Sequence, residues 1–445
     1  MKRLSKLDKK YEIYKKRRSR LIKTLPSDSA FILPSWPLTS YPGNIEGAYQ
    51  PCSHLIYFTG WTEPHSCLVI LSGPPSKCLL FVQKKDPEKE LWTGPVYGPK
   101  KAKDLFQMDM CYPYKDFSQV APSILKKTHS LYYTFGINPY WDFQIKNLIQ
   151  NLNKKKNKSL SLQDPLPFIA SLRMKKSKEE IQMIKKAVNI SGGAHRAVMK
   201  YARPGLNERA LYGKFLFEIR KRGAQKEAYP GIFASGPNAC ILHYTNNNRI
   251  IKEGEMVLVD AGAEYKHYAS DITRTWPVNG CFSKIQKKLY TKLLKIQKDM
   301  IQMLKPGLSF NDIQKKLVEL LSLFMKEEAL LSSPLKEIIN KKEYKKYFPH
   351  SFGHLLGLDV HDLTFSEKNR PNRQGLLHLE EGFVLTMEPG LYLPERDRTL
   401  NPELRGLGFR IEDDILITKT GAEVLSHGAP KEVEELEDLI NSRKN

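Results

Sequence analysis

The stretch VLVDAGAEYKHYASDITRTW, residues 257–276, sets two carboxylates, Asp260 and Asp271, in a largely apolar run rich in strand-forming residues. Residues 256–261 read as a strand, and 267–276 alternate well enough to be its antiparallel partner, with a turn near 264–266. Such a hairpin brings Asp260 and Asp271 together in space. Asp260 follows an apolar run, where an unpaired carboxylate is costly. For Asp271 the neighbouring Arg274 offers a partner, so a structural salt bridge competes with a functional role. Either acid alone would also be an ordinary turn or capping residue.

Three further stretches carry the same kind of side chain: HSFGHLLGLDVHD (350–362), LTMEPGLY (385–392) and GFRIEDD (408–414). His350 and His354 have the i, i+4 spacing of a helical zinc site, but no glutamate follows His350, so the HExxH peptidase motif is absent. Gly353 and Gly357 suit a loop with close backbone approach. His354 is the better ligand candidate, which leaves His350 and His361 free for substrate. Pro389 biases Glu388 towards extended backbone, and Gly390 turns the chain. Residues 383–387 and 409–412 read as strands; alternation then puts Arg410 and Glu412 on one face and Asp413 on the other, against the alternative of a solvated acidic run. His243, in CILHYTNN, reads by itself as a core histidine. Asp260, Asp271, His354, Glu388 and Glu412 together form a hard, oxygen-rich set that suits two divalent cations sharing ligands. Buried without metal, four carboxylates would repel one another severely. Paired metals about 3.5–4 Å apart clamp a nucleophile and polarise a carbonyl, which is the chemistry of hydrolysis.

The chain around these stretches has 445 residues, enough for two domains, with 41% hydrophobic and 10% aromatic residues. The net charge of +23 raises nucleic acid as a partner. Much of the excess is lysine in surface-like runs such as Lys154–Lys156 and Lys341–Lys342, without aromatic-studded binding motifs, so no nucleic-acid partner is expected. Six cysteines, Cys52, Cys67, Cys78, Cys111, Cys240 and Cys281, form no CxxC pair and read as free thiols in a reducing compartment. The basic, amphipathic start lacks the apolar run of a signal peptide, and no apolar stretch reaches the roughly 18 residues of a membrane span, so a cytoplasmic location is expected. A helix is predicted over 8–25, then strands at 30–33, 67–71 and 78–82 and a helix over 143–152. The charge run and two prolines of NLNKKKNKSLSLQDPLP (151–167) mark a domain boundary. Ser177 with Glu180 three residues later is a capping box that starts a helix. A second long helix covers 283–305. Both end at Pro-Gly-Leu, 204–206 and 306–308, each followed by a polar residue and a new amphipathic helix, which fits an internal duplication or simply the common use of proline-glycine to end a helix.

With these motifs in order, and with ASGPNACILHYTNN (234–247) fitting the pattern SGxNxxxLHY, the chain resembles the pita-bread metallopeptidases, and within them aminopeptidase P. The first part is similar to that family's accessory domain through RRSRL (17–21), YFTGWTEP (57–64) and ELWTGPVYG (90–98). It departs at 44–58, where Cys52, Ser53 and His54 stand in place of more acidic residues. The resemblance implies an α+β/α/β two-domain protein. Residues 1–165 would be a smaller α/β domain of ribonuclease-H-like fold. Residues 166–445 would be a pita-bread catalytic domain, an antiparallel sheet with flanking helices and pseudo-twofold symmetry. It implies two divalent ions, manganese in particular. Asp260 and Asp271 would chelate one, with Asp271 bridging; His354 and Glu388 would complete the other, with Glu412 bridging. Glu388 would be the acid–base residue for attack by a metal-bridging hydroxide. His361 and His243 would hold substrate and tetrahedral intermediate, His350 would line the proline pocket, and Arg410 would orient the carboxylates from behind.

The activity so implied is removal of an N-terminal residue that precedes proline, an imide bond without an N–H for ordinary peptidases to grip. The partners implied are peptides with proline second, with no membrane, and further copies of the chain in a homodimer or homotetramer, in which Trp92 would contribute to a neighbouring copy's site. The rival with the same ligands is an Xaa-Pro dipeptidase. A non-catalytic binding protein on this fold would show lost ligands, and none is lost.

Overall fold

The computed structural model describes residues 6–43, 45–156, 160–364 and 377–442, and the chain divides into two compact units, Met1–Arg173 and Met174–Asn445. The first unit is built on a six-stranded mixed sheet. Ser29–Pro34, Cys67–Leu71 and Lys77–Val82 form an antiparallel meander. Met110–Pro113 adds parallel to its outer edge, and Ser130–Tyr132 then Ser161–Gln163 add in parallel beside Ser29–Pro34. One face carries a core of Ile32, Val69, Leu79, Phe81, Phe117, Trp141 and Ile145. Two arginines of the opening helix Lys6–Thr24 are structural: the buried Arg18 donates to the carbonyls of Phe58, Phe106 and Gln107, and Arg17 to that of Tyr57. The aromatic segment after residue 52 is a short helix, Ser53–Thr59. The sequence puts the boundary after 165, whereas the helix Leu166–Met174 falls almost wholly in the first unit, where Phe168 packs edge-on against Tyr132 at 5.1 Å.

The second unit repeats one plan twice. In each half a long helix starts from a capping box: Lys178–Tyr201 from Ser177 and Glu180, and Lys284–Met303 from Ser283 and Gln286. Each is followed by the Pro-Gly-Leu turn, with Gly205 and Gly307 at φ 88° and 89°, a conformation natural only to glycine. An N-cap follows, Asn207 or Ser309, and a second helix, Glu208–Lys221 or Phe310–Glu327. The backbone register also repeats. Gly205 donates to Ile251, Ile251 to Leu206 and Glu208 to Arg249; Gly307 donates to Leu379, Leu379 to Leu308 and Phe310 to Leu377. Each half then builds a three-stranded sheet. One contains Ile232–Ser235, Met256–Asp260 and Thr273–Pro277; the other contains Val384–Met387, Asp413–Ile417 and Ala422–Val424. Helices and sheets close over a continuous core that includes Phe215, Val259, Trp276, Leu293, Leu321, Leu385 and Ile415.

The predicted hairpin is present, but its second strand is broken. Asp260 faces Thr273 across the ladder, and between them Ala263–Tyr265 and Tyr268–Ala269 fold into a hairpin of their own. The reason is a close crossing at Gly262, where a Cβ would sit 1.7 Å from the Ser270 carbonyl oxygen. Asp271 lies in the break. Among the described residues no helix is long and apolar enough to cross a membrane.

Candidate metal centre

The sheets of the two halves meet edge to edge, and the acidic side chains lie at the seam. Thr273 and Glu412 form an isolated antiparallel bridge: the Glu412 amide donates to the Thr273 carbonyl, and Thr273 Oγ1 donates to Glu412 Oε2 at 2.5 Å. Asp260 ends its strand, Asp271 sits in the break beyond it, and Glu388 follows the strand Val384–Met387. Gly353 passes so close to the neighbouring strand that a Cβ would lie 2.1 Å from the Thr386 carbonyl oxygen, and this crossing delivers His354 to the seam. Asp271, His354 and Glu412 each offer a ligand atom, all within 4.8 Å of one another. His354 Nε2 lies 3.4 Å from Asp271 and 3.7 Å from Glu388. Its Nδ1 contacts the Leu355 carbonyl at 3.1 Å, which fixes the proton on Nδ1 and leaves Nε2 to face the carboxylates.

The surroundings of the five side chains are polar and directional. Tyr229 donates to Asp260 at 2.6 Å and also contacts Asp271. One phenolic proton cannot serve two carboxylates at once, so the pair needs a further positive partner. Arg410 supplies part of it, 2.6 Å from Asp260 and also bonded to Thr273 Oγ1 and the Tyr392 hydroxyl. Arg274, the rival partner for Asp271, instead pairs with the buried Asp413 at 2.7 Å. Burial, and then the neighbouring acids, pushes the carboxyl groups of Asp271 and Glu412 upward, and pushes Glu388 up to about 7. Burial would depress His354, but Asp271 and Glu388 outweigh it and raise it to about 9. These are the electrostatics of an anionic cluster that calls for cations, and the donor set fits divalent metal.

The other predicted residues ring this centre. His350 sits 3.6 Å from Glu388, accepts or donates at the Tyr392 hydroxyl at 2.8 Å, and packs on Phe348 at 4.5 Å. Burial, and then Arg410, lowers it to about 4, so it is uncharged at neutral pH. The ring of His361 lies 4.2 Å from that of His354. His243 is exposed rather than a core residue, and close enough to His350 and His361 to add to the depression of both. Tyr229, Thr273, Thr386 and Tyr392 were not legible in the sequence. Each is a common residue type whose value lies in what crosses it: Thr386 Oγ1, for instance, accepts the His354 amide and reaches Glu388.

Comparison with known proteins follows the same lines. Residues 182–419 match the sequence model of Metallopeptidase family M24, and residues 14–133 that of the aminopeptidase P N-terminal domain. A human protein described as Xaa-Pro aminopeptidase 3 is 36% identical over 423 residues, 93% of this chain and 81% of its own length. An Arabidopsis thaliana protein described as intermediate cleaving peptidase 55, mitochondrial, is 31% identical over 97% of this chain and 83% of its own. A zinc-substituted Escherichia coli aminopeptidase P solved with product superposes with a TM-score of 0.92 at 32% identity, covering 98% of this chain and 99% of that one.

Proposed function

The chain belongs to metallopeptidase family M24, and from that premise we propose that it is a metal-dependent Xaa-Pro aminopeptidase releasing the first residue of peptides whose second residue is proline. The observation that carries the reading is the convergence of Asp271, His354 and Glu412, with Asp260 and Glu388 beside them, on one point between the two half-sheets. Asp260 and Asp271 would hold one divalent ion, His354 and Glu388 a second, with Asp271 and Glu412 shared; manganese suits this oxygen-rich set. Bound there, the ions would polarise the scissile carbonyl and make water nucleophilic near neutral pH.

The chain's own residues do the rest. Glu388, beside His354 at the centre, would take a proton and deliver it to the leaving proline nitrogen. His361 and His243 would hold the substrate and the tetrahedral intermediate. The uncharged His350, backed by Phe348 and Tyr392, would line the proline pocket. Arg410 would act from behind, holding Asp260 in its rotamer.

The test is manganese-loaded protein assayed side by side on an Xaa-Pro dipeptide and an Xaa-Pro-Yaa tripeptide. Preference for the tripeptide is expected. Preference for the dipeptide would make the protein a dipeptidase with the same chemistry, and cleavage of neither with metal bound would overturn the reading. A homodimer or homotetramer belongs to the same proposal, supported by Leu91 and Trp92, 83% and 87% exposed on the short helix Pro87–Thr93; sedentary monomers in analytical ultracentrifugation would refute it. Cys67, Cys78, Cys111, Cys240 and Cys281, none of them in a disulfide, support a cytoplasmic location, with the mitochondrion of the plant relative as the rival that cell fractionation would separate.

A further inference from the structure

The first residue of the helix Glu208–Lys221 is a carboxylate with no exposed surface, and it is not one of the candidate metal ligands. It accepts five hydrogen bonds. Glu208 Oε1 takes the Ser235 amide at 2.7 Å, the Ser235 hydroxyl at 2.8 Å and Asn238 Nδ2 at 3.2 Å. Oε2 takes the Tyr244 hydroxyl at 2.7 Å and the Arg249 amide at 2.9 Å. A carboxylate offers about four lone-pair sites, so this one is saturated. Its donors are not scattered. They are the first residue, two interior residues and the last residue of one segment, 235–249, and that segment carries His243. Tyr244 is buried and tied down, while its neighbour His243 is exposed. Whatever fixes Tyr244 therefore fixes the backbone from which His243 projects.

We infer that Glu208 is a positioning residue: its buried carboxylate gathers the segment 235–249 and, through Tyr244, aims His243 at the substrate. The inference rests on the proposed substrate contact of His243. A general packing role would make Glu208 matter to stability alone; a positioning role makes its effect on turnover pass through His243.

The experiment is a double-mutant cycle on the metal-loaded full chain, with kcat and KM on an Xaa-Pro-Yaa tripeptide and metal content as readouts. Tyr244→Phe keeps the ring and removes the hydroxyl that bonds Glu208 and Asn248; Glu208→Gln keeps the shape but turns one acceptor into a donor. Each is expected to lower kcat/KM by about tenfold to 10²-fold, as a misplaced contact group does, with metal content unchanged. In a His243→Ala background neither is expected to lower it further. The same fold-loss in that background, or parental kcat/KM in Tyr244→Phe, would overturn the inference while the substrate role of His243 stands. Full activity in His243→Ala alone would remove that role, and the inference with it. If Glu208→Gln does not fold, the Tyr244→Phe arm decides.

Discussion

In the first half of the metal-bearing unit, the loop that carries His243 hangs from the buried carboxylate of Glu208; in the second half the same place in the backbone register is taken by Phe310. Phe310 packs its ring on Phe352 at 5.3 Å, two residues before His354, and Gln314 accepts the Phe352 amide. The loop carrying His361 is held by a different device. Lys176 and Asp362, both side chains almost wholly buried, pair at 3.0 Å, and Gly357 leaves room for Asp362, whose oxygen would lie 2.2 Å from a Cβ there. Two halves with one backbone plan thus secure their substrate-side loops by different chemistry, hydrogen bonds to a saturated acid in one and aromatic packing, a side-chain hydrogen bond from Gln314 and a buried ion pair in the other. The duplicated frame fixes where a loop starts and ends. The anchor that sets its interior is free to differ, and so the two loops can present different groups to one substrate.

The largest effect that tests this picture is loss of turnover from either half. Gly254 and Gly382, both at positive φ, each precede their half's acid by six positions, Asp260 in one and Glu388 in the other. Asp260→Ala and Glu388→Ala are each expected to reduce tripeptide cleavage to background while the protein stays folded by circular dichroism. Retained activity in either purified variant would mean that the halves do not share one centre.

A smaller effect sharpens the contrast between the anchors. Lys176→Met leaves the Asp362 carboxylate buried without its cation, which typically costs about 3–5 kcal/mol. Urea unfolding should register that loss, and replacing Asp362 with leucine in the same chain should recover part of it. A change below about 1 kcal/mol, the range of an exposed pair, would show that the ion pair is not what holds the second loop.

How far the sequence revealed this arrangement follows from which interactions are local. The capping boxes at Ser177 and Ser283, the two Pro-Gly-Leu turns and the glycine-flanked acids are written within a few residues, so the long helices, the duplication and the candidate ligands could all be read directly. The broken strand at Asp271 could not, because it depends on the crossing of Gly262 with Ser270 in three dimensions. The same holds for Arg274: its neighbour in sequence suggested a partnership with Asp271, but its charge goes to Asp413, far along the chain. Tyr229 and Glu208 act on groups 31 to 42 and 27 to 41 residues away, respectively, with no periodic pattern to announce them.

The least of the expected effects concerns Phe310, and it bears most directly on the difference between the halves. Its ring is only partly buried, so truncation to alanine should cost less than the roughly 3–5 kcal/mol typical of a fully buried phenylalanine, about 1–2 kcal/mol. Because removing the ring leaves the hydrogen bond from the Phe352 amide to Gln314 in place, the loss should appear in the urea midpoint, with KM for the tripeptide unchanged. The first half behaves differently on this account, since disturbing Glu208 should alter turnover by way of His243. If Phe310→Ala instead lowered kcat/KM as much as Tyr244→Phe, packing and hydrogen bonding would be equivalent anchors, and the chemical asymmetry of the two halves would carry no functional consequence.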